Sequence, residues 1–212
     1  MNTLAKQIEY LNQELSSQLP QEILYAFGKS IEDLKTKRME ENSIQIGNQM
    51  PEFSLPNALG KIINSEDIIK NGKIILAFYR GSWCPYCNLE LKSLQDNLSR
   101  IKNKGATLIA VSPQSPDHSL SMTEKNNLEF EVLTDIDNNF AKKLGIDFQL
   151  QDFVLPYYNG LGIHLSDFNK NEDNTLPVPA VFVVDENRVV TYKFLDVNYM
   201  NRLDVEELIQ SL

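Results

Sequence analysis

The stretch that decides the fold runs from Lys73 to Leu91 and reads KIILAFYRGSWCPYCNLEL. Its first third, Lys73 to Tyr79, is a compact apolar run suited to a strand buried on both faces. Its end opens a helical pattern in which Leu91, Leu94, Leu98 and Ile101 share one face and Gly105 supplies a stop. Between strand and helix lie Cys84 and Cys87, the only two cysteines of the 212-residue chain. Proline suits the first helical position and pushes the residue before it out of α geometry. Pro85 therefore places Cys84 at the N-cap and Cys87 at the third helical position. An N-cap side chain faces the backbone N–H of that third residue, so the two sulfurs come close enough to bridge.

The chemistry of such a turn follows from electrostatics. Only the thiolate is a good nucleophile, and a free cysteine with a pKa of about 8.5 is mostly protonated at neutral pH. A helix N-terminus offers the equivalent of roughly half a positive charge, and Arg80 adds a full one nearby. The turn can thus hold a reactive thiolate beside a second thiol able to form a disulfide with it. A closed zinc site would need four ligands, and beyond the two cysteines only His118 and His164 are on offer, distant in sequence. Trp83 reads as a packing anchor under the helix start.

Outward from the turn, Ala106 to Ser112 (ATLIAVS) is a second buried strand, completing a strand–helix–strand unit that implies parallel pairing. Residues 116–127 and 137–144 read as helices around the short strand FEVLTD. Residues 148–176 read as a long, polar, irregular loop holding Tyr157, Tyr158, Gly160 and Gly162. Pro179–Asp185 and Val189–Phe194 form a hairpin about the turn ENR, and a helix from Leu203 to Leu212 ends the chain. Upstream, residues 1 to about 42 are helical: Leu4, Ile8, Leu11 and Leu15 make one apolar stripe, and Pro20 starts a second helix carrying Ile23, Leu24, Phe27, Ile31 and Leu34. The expected organisation is a helical N-terminal extension over residues 1–43, without chemistry of its own, and an α/β domain over 44–212.

A net charge of −9 argues against a nucleic-acid binder and against an anionic membrane surface. The N-terminus has no continuous apolar run of a secretory signal, and no stretch reaches the roughly 18 apolar residues of a membrane span. The expected compartment is the cytoplasm, where a close cysteine pair reads as catalytic rather than structural.

Four segments, MPEFSLPNALGK, FYRGSWCPYCNLEL, AVSPQSPD and LPVPAVFVVD, occur in an order that resembles the AhpC/TSA-type peroxiredoxin-like proteins, a CxxC-containing branch of the thioredoxin fold. The resemblance covers residues from about 46 to 212. It implies a thioredoxin-like fold, a mixed central sheet flanked by helices, with the helical N-terminal extension usual in that branch. Peroxiredoxins carry a proline, a threonine four residues on and the peroxidatic cysteine three beyond. Arg80, Cys84 and Cys87 stand at those places, so the resemblance nominates Cys87 as the attacking residue and Cys84 as its resolving partner. Pro179 stands where peroxiredoxins place an arginine before a late strand. The WCxxC turn and Val178–Pro179 look instead like thioredoxin, whose cis-proline lies beside the active site and leaves a backbone edge for an extended disulfide substrate; a cis Val178–Pro179 bond is the expectation.

Two mechanisms use the same sulfurs. In a thiol peroxidase, Cys87 attacks a hydroperoxide, Cys84 condenses with the resulting sulfenic acid, and a thioredoxin- or glutaredoxin-type reductant restores the pair, with Arg80 standing in for the missing arginine. In a protein disulfide reductase, Cys84 attacks and Cys87 releases the product. A third reading is a non-enzymatic redox-sensing module acting through residues 148–176. Peroxide reduction leads because the chain-wide resemblance points there. The expected partners are a hydroperoxide or disulfide substrate, the dithiol reductant and a second copy in a homodimer, with no cofactor, metal, nucleic acid or membrane.

Overall fold

In the computed structural model, which describes residues 3–212, the apolar run after Gly72 is the middle strand of a five-stranded sheet. Three helices come first: α1 (Leu4–Gln18), whose first turn is capped by the Thr3 hydroxyl accepting from the Lys6 N–H, α2 (Gln21–Thr36), which starts directly after Pro20, and α3 (Met39–Asn42). Two three-residue strands, β1 (Ser54–Pro56) and β2 (Ile62–Asn64), form an antiparallel hairpin, and the short helix α4 (Ser65–Ile69) leads into β3 (Lys73–Phe78). Helices α5 (Pro85–Asp96) and α6 (Leu98–Asn103) carry the chain over to β4 (Ala106–Ser112), which pairs parallel to β3 as the strand–helix–strand pattern predicts. Then follow α7 (Pro116–Asn126), β5 (Glu131–Thr134), a 3-10 turn (Ile136–Asn138) and α8 (Asn139–Leu144).

The remainder comprises β6 (Asp147–Gln149), α9 (Leu155–Gly160), α10 (Leu165–Asn169), β7 (Thr175–Pro177), β8 (Ala180–Val184), β9 (Val190–Leu195) and α11 (Val205–Ser211). The sheet order is β5-β4-β3-β8-β9, with β3, β4 and β5 parallel and β8 and β9 antiparallel to their neighbours. This is the mixed, helix-flanked sheet of the thioredoxin-like fold. Alternation along β3 divides the core: Ile75 and Ala77 face Leu91, Leu94, Leu98 and Leu208 on one side, while Ile74, Leu76 and Phe78 face Phe53, Phe140 and Leu144 on the other. No helix is long and apolar enough to cross a membrane among the described residues.

Three expectations need correction. The helix read as one face through Ile101 is two, broken at Asn97, whose backbone (φ −106°, ψ 7°) leaves helical geometry. Residues 148–176 are not one irregular loop: α9 and α10 lie within them, β6 pairs with β7, and Phe148, Val154, Tyr158, Leu165 and Leu176 build an apolar cluster of their own. The chain has no cis peptide bond among the described residues, so Val178–Pro179 is trans. The extended chain runs from β7, paired with β6, into β8, paired with β3, and Val178 N–H donates to Ile146 C=O at 2.7 Å along the way. Val178 is therefore already bonded, and its N–H is not an open edge for an extended substrate.

Candidate active site

The redox turn is set by its flanks. Gly81 leaves no room for a side chain there unless Trp83 shifts, because a Cβ on it would meet Trp83 Nε1 at 2.3 Å. Ser82 N–H donates to Gln114 Oε1 (2.8 Å), Gln114 Nε2 donates to the Tyr79 hydroxyl (2.8 Å), and Asn88 Nδ2 donates to Ser82 C=O (2.8 Å). These bonds tie the turn to the end of β4 and to the first turn of α5. Cys84 is the N-cap of α5 and Pro85 its first residue; the Cys87 N–H donates to Cys84 Sγ at 3.4 Å. The sulfurs lie 2.7 Å apart in the reduced pair, with the Cys87 S–H donating to Cys84.

Two guanidinium groups flank them. Arg80 Nη2 donates to Cys84 Sγ at 3.3 Å and Nη1 to the Tyr158 hydroxyl at 3.0 Å, while its guanidinium lies 3.8 Å from the Tyr199 ring centre and 5.1 Å from that of Trp83. Arg202 is the residue that sequence reasoning missed. Its Nη2 donates to Cys87 Sγ at 3.3 Å and lies 4.0 Å from Cys84 Sγ, its Nη1 pairs with Glu90 Oε2 at 2.7 Å, and its Nε donates to Tyr199 C=O. The Arg202–Glu90 pair is wholly buried, with side-chain exposures of 0% and 3%. One signal for it was legible: Glu90 falls on the buried face of α5 with Cys87, Leu91 and Leu94, and a buried carboxylate requires a cationic partner.

Electrostatics divide the sulfurs. Burial pushes the Cys84 thiol up, but the Cys87 S–H and the charges of Arg80 and Arg202 outweigh it and hold Cys84 well below the ordinary thiol range. Burial and the adjacent Cys84 sulfur push Cys87 well above that range, against the pull of Arg202 and Arg80. The pair is a single unit with one proton to spare, and Cys84, with the backbone N–H, Arg80 and Cys87 S–H all donating to it, is where the negative charge rests. Burial also raises Glu90, opposed first by Arg202.

Of the residues singled out from sequence, Cys84, Cys87, Arg80 and Trp83 come together here. Trp83 packs edge-on against Tyr158 at 5.4 Å, beneath Arg80. Pro179 is buried at the entry to β8, and its neighbour Val178 shares an apolar cluster with Trp83. Neither histidine joins: His118 stacks on Phe168 and His164 bonds Asn159. No group of three or more metal-ligating side chains assembles among the described residues. Both sulfurs are 0% exposed. The N-terminal helix packs beside the turn: Ile8, Leu11 and Leu15 of α1 lie on the cluster that contains both cysteines, and Asn12 Oδ1 accepts from the Tyr86 hydroxyl at 2.6 Å. Tyr199 closes edge-on against Tyr86 at 5.6 Å.

Comparison with known proteins agrees with this frame. The family model described as AhpC/TSA family matches residues 46–193. Peroxiredoxin Bcp of Escherichia coli is 27% identical over 120 residues, covering 57% of this chain and 76% of that protein. A bcp protein of Haemophilus influenzae is 27% identical over 162 residues, covering 76% of this chain and 99% of that protein. Among solved structures, the crystal structure of Peroxidoxin BcpB from Mycobacterium tuberculosis superposes with a TM-score of 0.63 at 16% identity, covering 79% of this chain and 96% of that one.

Proposed function

The chain belongs to the AhpC/TSA family, and from that premise we propose that it is a thiol peroxidase that reduces hydroperoxides through the Cys84–Cys87 pair. The observation that carries the reading is the buried pair of sulfurs 2.7 Å apart between two guanidinium groups. The Cys84 thiolate attacks the terminal peroxide oxygen, forming an S–O bond as the O–O bond breaks. The departing alkoxide or hydroxide takes a proton from the Cys87 thiol, and Arg80 and Arg202 stabilise the charge that develops as it leaves. Cys87, now a thiolate, then attacks the Cys84 sulfenic acid and expels hydroxide, which takes a proton from solvent to leave as water, and the disulfide forms without any large movement of the sulfurs. A thioredoxin-type dithiol in a reducing, cytoplasmic compartment restores the pair. Residues 1–43 act as an extension that packs beside the site of the 44–212 domain.

The resemblance nominates Cys87 for the attack; the hydrogen bonds to Cys84 favour Cys84. The protein disulfide reductase reading draws on the same N-cap thiolate, but the bonded Val178 N–H takes away the backbone edge on which an extended disulfide substrate would lie. The test is intact mass over time for Cys84→Ser and Cys87→Ser proteins given one equivalent of hydrogen peroxide and a sulfenic-acid trap. Cys87→Ser is expected to be trapped on Cys84 faster than Cys84→Ser is on Cys87. Faster trapping on Cys87 restores the role order of the resemblance. Trapping in neither variant removes the peroxidase reading and leaves disulfide exchange at Cys84.

A further inference from the structure

Four charged groups are buried together around the reduced sulfurs: the guanidiniums of Arg80 and Arg202, the Glu90 carboxylate and the one thiolate of the pair. Glu90 is committed to Arg202. Arg80 has no such carboxylate: its described partners are Cys84 Sγ, the Tyr158 hydroxyl and the faces of Tyr199 and Trp83, and its Nε is buried without a hydrogen-bond acceptor. Among the described residues, the thiolate is thus the only anion bonded to Arg80. Oxidation removes it, because a disulfide carries no charge, and leaves Arg80 buried among neutral groups. A buried charge stripped of its partner is strongly disfavoured.

We infer that the reduced pair is the electrostatically favoured state of this protein, that its disulfide is correspondingly easy to reduce, and that a small monothiol of the glutathione class is therefore a competent reductant for it. This rests on the Cys84–Cys87 pair being the redox centre proposed above, whichever oxidant loads it. The exchange balances. A glutathione thiolate attacks Cys87 Sγ, the S–S bond breaks, and Cys84 departs as the thiolate, the better leaving group because Arg80, the Cys87 N–H and Arg202 receive its charge. A second glutathione thiolate attacks the glutathione sulfur of the mixed disulfide, releasing oxidised glutathione and returning Cys87, which takes up a proton. Two electrons enter, two monothiols are consumed and one small disulfide leaves.

The experiment equilibrates wild type, Arg80→Met and Arg80→Lys in glutathione buffers of graded ratio, quenches in acid, and reads the oxidised fraction by intact mass; reduced and oxidised wild type are also melted side by side. Wild type is expected to be reduced by glutathione alone, and its oxidised form to melt below its reduced form. Arg80→Met is expected to shift the equilibrium constant about tenfold toward the disulfide, equivalent to about 30 mV, while Arg80→Lys, which keeps the charge, stays near wild type. An unshifted Arg80→Met equilibrium, or an oxidised form that melts at or above the reduced one, overturns the inference while leaving the redox centre standing. If no Cys84–Cys87 disulfide forms even when the wild type is given excess hydrogen peroxide, both this inference and the proposed redox pair fall. The wild-type melts need no variant, so they decide the matter even if Arg80→Met does not fold.

Discussion

Arg202 reaches Cys87 across 115 residues of chain, just ahead of the Asp204 cap of α11. No local pattern around it announces a role, which is why the sequence yielded Arg80, four residues from Cys84, and not Arg202. Cys84, Cys87, Arg80 and Trp83 were legible because a strand end, a proline and a helix start fix their mutual geometry within one turn. The trans bond at Pro179, where a cis one was expected, was not, since the isomer depends on how β7 and Ile146 hold the chain before it. Arg202→Met strands Glu90 as an unpaired buried carboxylate, so a loss of about 3–5 kcal/mol in stability is expected by denaturant unfolding. The double variant Arg202→Met, Glu90→Gln should recover most of that loss. A double variant as unstable as the single one would contradict the pairing as the cause.

At the scale of elements, long buried segments were readable and short ones were not. β3 and β4, strands of six and seven residues, announce themselves by their mostly apolar composition. β1 and β2 have three residues each, too few for periodicity, and α9 and α10 have six and five. The apolar stripe of α1 was visible, but its destination was not: the extension expected to be without chemistry packs beside the redox turn. Asn12→Ala removes the bond from Tyr86 that pins α1 to α5. With one hydrogen bond worth about 1 kcal/mol, alkylation of the native thiolate by iodoacetamide should quicken roughly fivefold if α1 gates access. An unchanged rate would show that the sulfurs are reached by another route, such as past Tyr199.

For the whole molecule, the charge on the pair links redox state, pH and stability. Cys84 is depressed in the folded protein despite the opposing effect of burial, because Cys87, Arg80 and Arg202 favour its thiolate. Below the unfolded thiol value of about 8.5 the unfolded chain therefore binds more protons at this site, and the stability it contributes is lost as pH falls through the folded value. Cys87, raised by burial and by Cys84, acts in the opposite sense and only on the alkaline side. The disulfide form has neither term. Denaturant unfolding of both redox forms should show the advantage of the reduced form shrinking as pH is lowered from about 8.5 into the acid range; a constant difference would mean that the pair holds no thiolate. The fold class followed from one strand–turn–helix, whereas the assembly of two arginines and a carboxylate around it arises from tertiary packing that no single stretch encodes. The most direct measurement is the pH titration of thiolate ultraviolet absorbance in the reduced wild type, with Cys84→Ser and Cys87→Ser to assign it. One thiolate, on Cys84, should persist well below the ordinary thiol range while Cys87 stays protonated above it. Two thiols ionising together near a pH of about 8.5 would contradict the account.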